Sequence, residues 1–205
     1  MKIIDISLPL STETIAHPKE PRFLVTPQRN LESDGVSTSK ITTASHFGTH
    51  IDAPVHFIKD GSGIDNIDLE KLIGTCQVLE VSPEENLITQ ADIEGKTTSE
   101  RVLFKSSNSL LLTQPYTKEY ISLSMGAAEY LVKSGVKLVG TDYIAIEASG
   151  SPGHPVHTKL LESKIVIVEG LNLANVEAGS YKLIVLPIKL KGLDGSPARA
   201  VLIEE

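Results

Sequence analysis

A chain of 205 residues with 40% hydrophobic and 22% charged residues has the material for a sizeable core and lacks the bias of a disordered segment. Its net charge of -7 and the lack of any basic run argue against nucleic acid as a partner, since counterion release needs clustered Lys and Arg. With a single cysteine there is no internal disulfide, no segment is long enough to span a bilayer, and the N-terminal MKIIDISLPLSTET lacks the apolar centre and cleavage site of a signal peptide. The expectation is one domain over 1–205, cytoplasmic, that meets a small molecule and neither nucleic acid nor a membrane.

Along the chain, runs rich in Val, Ile and Leu between Gly, Pro and Ser clusters predict strands over 2–8, 76–81, 101–105, 136–140, 164–169, 183–190 and 198–203. Short helices are expected over 68–73 and 158–163. The clearest helix is 124–134, where Ser124 can cap, Ala128, Leu131 and Val132 form an apolar stripe, and Gly135 can stop the turn. Sheet therefore dominates, and no repeat or linker divides the chain. The stretch 148–157, with Ser, Gly, Pro and two histidines, reads as a loop that can lie beside a ligand.

The segment SHFGTHIDAPVHF carries the chemistry. Six histidines in the chain put about a third of one in an 11-residue window, yet His46 to His56 holds three. Gly48, Thr49, Ile51 and Pro54 oppose a helix interior, so an extended strand is expected. Alternation then places His46, His50, Asp52 and His56 on one face and Phe47, Thr49, Ile51 and Val55 on the other. A straight strand of this length spans roughly 33 Å, so one ion can gather all four groups only if the chain bends, and Gly48 and Pro54 are where it can. His50 and Asp52 are the firmest pair. Imidazole and carboxylate suit zinc or manganese, calcium would require more oxygens, and the lone cysteine excludes a thiolate site.

One strand would leave such an ion open on its far side. Two distant groups are candidates to close it: His157, in PGHPVHTKLL just before a short helix and in competition with His154, and Glu169, which ends the apolar run KIVIVE. A solvated strand end is the alternative for Glu169. Asp142, in GTDY, either orients a ligand or serves a turn.

The motif H-x-G-T-H-x-D-x-P-x-H, present as HFGTHIDAPVH, resembles that of the cyclase-like metal-dependent hydrolases, which include bacterial kynurenine formamidases and isatin hydrolases. The resemblance extends through LVGTDYIAIE, PVHTKLL, IVIVEGLNL and YKLIVLPIKLKGLDGSPARAVL. It implies an α/β fold, a mixed β/α sandwich of the swivelling β/β/α type with a barrel-like sheet and few flanking helices, assembled as a homodimer or homotetramer. It implies metal ligation by His46, His50, Asp52, His157 and Glu169, with Asp52 placed to bridge if two ions bind, and proton transfer by His56. Zinc is the first candidate and manganese the second, as one or two ions. Where relatives that act on formylkynurenine carry Trp-Pro, this chain reads AHPKEPRF and contains no Trp, so His17 becomes the residue expected near the substrate. The implied reaction is hydrolysis of a small amide, arylformamidase-like. The alternatives are opening of a cyclic amide or imide and a metal-binding protein without turnover.

Overall fold

The computed structural model describes residues 1–204. In chain order, β1 (Lys2–Asp5) is followed by a hairpin of β2 (Leu24–Arg29) and β3 (Thr38–Thr42), joined through the single turn α1 (Leu31–Asp34). Next come β4 (His50–Asp52), α2 (Leu69–Leu72), β5 (Ile73–Glu80), β6 (Leu87–Ile88), α3 (Gln90–Ile93) and β7 (Arg101–Lys105). The remainder is β8 (Ser122–Leu123), α4 (Met125–Lys133), β9 (Leu138–Thr141), α5 (Pro155–Glu162), β10 (Val166–Glu169), β11 (Gly179–Pro187) and β12 (Gly195–Glu204).

Seven of these strands close on themselves in the order β12-β11-β5-β7-β9-β10-β4, the last pairing back to the start of β12, while β1 extends the ring along the far end of β12. The run β5-β7-β9-β10 is parallel and the other pairings are antiparallel. Parallel neighbours need crossovers, and α3, α4 and α5 lie in these connections. The expected mixed α/β architecture with a barrel-like sheet is therefore what forms.

Strand alternation divides the apolar residues between two cores. Leu103 of β7 and Val166 and Val168 of β10 point into the barrel with Ile51, Cys76, Val78, Val185 and Leu202. Val102, Phe104 and Ile167 point outward under Ala127, Ala128 and Leu131 of α4 and Leu160 and Leu161 of α5. The helix α4 has the predicted cap, Ser124 Oγ accepting from Ala127 N–H at 3.1 Å, and ends ahead of Gly135 at φ +73°. By contrast α5 begins three residues earlier than expected, because Pro155 occupies its first turn, where a fixed φ and a missing N–H cost nothing. His157 is thus inside the helix, not before it.

The extended strand expected across 46–56 shrinks to His50–Asp52. Gly48 adopts φ +64°, and a side chain there would collide with Leu10, while Pro54–His56 forms a 3-10 turn. Both predicted bend points bend. The β2–β3 hairpin, α3 and the two-stranded β6–β8 ladder had no sequence counterpart in the expected elements.

Candidate metal centre

Register brings the first three groups together. Ile51 faces the barrel interior, so His50 and Asp52 face outward, and the antiparallel pairing of β4 with β10 sets Glu169 opposite His50 and Ile167 opposite Asp52. Side chains directly opposite on one face of such a pair are in contact range: His50 Nε2 lies 3.3 Å from Glu169 Oε2 and 3.6 Å from Asp52 Oδ1. The first turn of α5 packs on this face and adds His157, whose Nε2 is 3.3 Å from Glu169 Oε1 and 3.8 Å from Asp52 Oδ2. From the other side the bend at Gly48 returns His46, with Nδ1 3.0 Å from Asp52 Oδ1. Asp52 thus presents one oxygen to His46 and His50 and the other to His157.

The outward nitrogens of three rings are engaged, which orients the inward ones. His50 Nδ1 is 2.9 Å from the carbonyl of Gly48, and a carbonyl only accepts, so Nδ1 carries the proton and Nε2 turns to the carboxylates. His157 Nδ1 donates to Glu147 Oε2 at 2.6 Å, and His46 Nε2 donates to Asp194 Oδ2 at 3.0 Å. Such outer partners fix ring orientation and raise basicity in metal-ligating histidines. His56 stacks on His46 with centroids 3.9 Å apart. His50, Asp52, His157 and Glu169 are buried; His46 and His56 are half-buried.

Electrostatics follow from this packing. Burial works against ionising Asp52, but the hydrogen bond and charge of His46, with His50 and His157, hold its carboxyl well below the usual range. Glu169 is opposed both by burial and by Asp52, and contacts with His157 and His50 still bring it below normal. Burial also disfavours charge on the imidazoles, yet Asp52 and Asp194 lift His46 to about 9, and Glu147, Glu169 and Asp52 lift His157 to about 10. His56 moves the other way, lowered chiefly by burial. Two adjacent buried carboxylates require positive charge between the rings, which protons or a cation can supply. Three imidazoles whose inward nitrogens can give up their protons to an ion, with two ionised carboxylates, are a donor set that fits a divalent ion of the borderline type.

A cavity of about 290 Å³ opens over the cluster and is lined by His17, Glu20, His56, Phe57 and Tyr116 among others. The sequence candidates therefore meet in one place: His46, His50, Asp52, His157 and Glu169 form the cluster, His56 sits at its edge, and His17 stands on the cavity wall with its ring edge-on to Tyr116 at 5.1 Å. His154 is half exposed on the cavity wall, its ring 4.9 Å from Phe57 and its Nδ1 3.9 Å from Glu147, and it forms no ion pair with Asp52 or Glu169, which separates it from His157. Asp142 takes the turn role: its carboxylate accepts from the N–H and hydroxyl groups of Ser106 and Ser109 at 2.8–3.1 Å. The sequence reading missed two acids. Glu147 ends the apolar run YIAIE as Glu169 ends KIVIVE, so the same signal would have marked it. Asp194 precedes Gly195 in a dipeptide that reads only as a turn.

A closed mixed barrel with a histidine–carboxylate centre beside an open cavity is the architecture of a metal-dependent hydrolase. The Cyclase family model matches residues 4–148, and the chain belongs to that family. Its relatives include the kynurenine formamidases of Salinibacter ruber, 34% identical over 98% of this chain and 97% of that one, and of Geobacillus thermodenitrificans, 35% identical over 97% and 96%. Among solved structures, a predicted metal-dependent hydrolase from Bacillus stearothermophilus superposes with a TM-score of 0.85 at 33% identity, covering 98% of this chain and 97% of the other. An isatin hydrolase bound to thioisatinate shares the fold, with a TM-score of 0.84 at 22% identity, covering 100% and 93%.

Proposed function

We propose that the chain, as one domain over 1–205, hydrolyses a small N-formyl arylamine such as N-formylkynurenine, releasing the amine and formate. The observation that carries this is the convergence of His46, His50, Asp52, His157 and Glu169, linked pairwise through the two carboxylates, below a cavity that His56 also lines. These five residues would hold the metal, zinc before manganese, with Asp52 presenting one oxygen to each side. A bound divalent ion supplies Lewis acidity and lowers the pKa of water.

The chain's own groups do the rest. Burial lowers the pKa of His56, so its imidazole is neutral and basic at pH 7. It accepts the proton of the attacking water and returns it to the leaving nitrogen as the C–N bond breaks, within the range where imidazole is an effective acid and base. Phe57, Tyr116 and Tyr120 give the cavity walls that suit an aryl group, and His17 stands where a substrate ring would contact it. The buried, free Cys76 suits a reducing cytoplasm, and the motif resemblance supports a homodimer or homotetramer.

The test is elemental analysis of the purified protein together with hydrolysis of N-formylkynurenine before and after chelation and zinc return. Bound metal with chelator-sensitive hydrolysis is the expected result; protein that never takes up metal overturns the reading. A second reading, opening of a cyclic amide, draws on the absence of Trp and the isatin hydrolase fold likeness. Isatin as substrate in the same assay separates the two.

A further inference from the structure

We infer that Asp194, with Gly195 beside it, is the positioning element of the solvent-facing half of the centre, its carboxylate holding the ring of His46, on which His56 stacks. This rests on the reading of His46 as a ligand and His56 as the proton carrier. A single oxygen, Asp194 Oδ2, accepts from His46 Nε2–H at 3.0 Å and lies 3.8 Å from His56 Nδ1. Ser45 Oγ donates to that same oxygen at 3.2 Å. With its Nε2 proton committed to Asp194, His46 turns Nδ1 to Asp52, so Nδ1 is the nitrogen that would give up its proton to an ion. Asp194 is not among the residues lining the cavity, so it acts through His46, and through that ring on the stacked His56, and not on the substrate.

Two independent features show that the placement is built. The carbonyl of Asp194 accepts from Ala53 N–H at 2.8 Å, and Gly195 pairs with Asp52 across β12 and β4, so main-chain contacts lock the carboxylate to the strand that bears the ligands. At Gly195 a Cβ would stand 2.7 Å from His46 Cε1 and 3.0 Å from its Nε2. A side chain at Gly195 would force the ring of His46 to shift from its place beside Asp194. Asp194 thus does for His46 what Glu147 does for His157.

The test compares Asp194→Ala, Asp194→Asn and Gly195→Ala with the wild-type holoenzyme. Zinc affinity is read by chelator competition, kcat and KM on N-formylkynurenine, and melting temperature on the metal-free proteins. Loss of an outer-shell carboxylate typically lowers affinity or activity by about 10–100-fold, so the Ala variant should lose zinc affinity in that range with kcat falling more than KM. Asn, which still accepts the His46 proton but without charge, should lie between. Gly195→Ala should reproduce the loss of zinc affinity with the carboxylate intact. Zinc affinity and kcat within about twofold of wild type in folded Asp194→Ala and Asp194→Asn, where twofold is the scale of an ordinary surface change, would overturn the inference while leaving the metal-dependent reading standing. A wild-type protein that binds no zinc would overturn the reading itself, and this inference with it.

Discussion

The two sides of Asp52 are built differently. On one side His157, Glu169 and Glu147 are all buried, His157 in the first turn of α5, Glu169 at the end of β10 and Glu147 in the loop between β9 and α5. On the other side His46, His56 and Asp194 are partly open to solvent and belong to loops. The buried side holds its geometry before any ligand arrives, whereas the open side has room for substrate and for proton exchange. Catalytic centres need both properties, and here a single carboxylate joins them.

That contrast can be broken most severely at the joint. Asp52→Asn should abolish metal uptake on both sides and lower turnover on the order of a thousandfold or more, measured by elemental analysis and steady-state kinetics. Retention of stoichiometric metal would show that the two sides do not share Asp52. Next in size, Glu147→Gln should loosen the buried side alone, lowering metal affinity by about 10–100-fold while leaving the His46–Asp194 contact intact.

A pH series on metal-free protein sharpens the comparison further. His46 and His157 titrate near 6.5 when unfolded and at about 9 and about 10 when folded. Groups with raised folded pKa values stabilise the native state fully below the unfolded value and cease to do so as pH rises through the folded one. Thermal denaturation of chelated protein should therefore show stability falling between about pH 7 and pH 10, with a smaller fall in His157→Gln. Because an ion must displace the same protons, metal affinity should rise over that interval; a flat affinity would contradict the assignment of these rings as ligands. The smallest effect is expected at His154→Ala. This residue is half exposed on the cavity rim, where it packs on Phe57 and approaches Glu147 only to 3.9 Å, so turnover should stay within a factor of about two, the scale of a surface change.

The legibility of the site follows the range of the interactions that make it. The strand Arg101–Lys105 matches its predicted bounds, and α4 matches its cap and stop, because apolar periodicity and helix ends are local properties. The β2–β3 hairpin was invisible for a related reason: residues 24–43 are exposed on both faces, so no alternation marks them as strands. Gly48 and Pro54 were identifiable as bends because their backbone preferences are intrinsic, and the extended pattern between them survived only where β10 and β12 supply partners. His154 and His157 have the same chemistry and near-identical surroundings in sequence. Only the start of α5 at Pro155 decides that one faces the carboxylates and the other the solvent.

By itself, the sequence determined the donor types, the seven-strand apolar pattern and the motif HFGTHIDAPVH that places the chain among metal-dependent hydrolases. Tertiary structure alone decided that Glu169 sits across from His50, that Glu147 and Asp194 stand behind His157 and His46, and that a cavity opens over them. The Glu169 and Asp194 relations depend on barrel closure, which joins strands separated by more than a hundred residues through register, and Glu147 meets His157 through the fold of the loop ahead of α5.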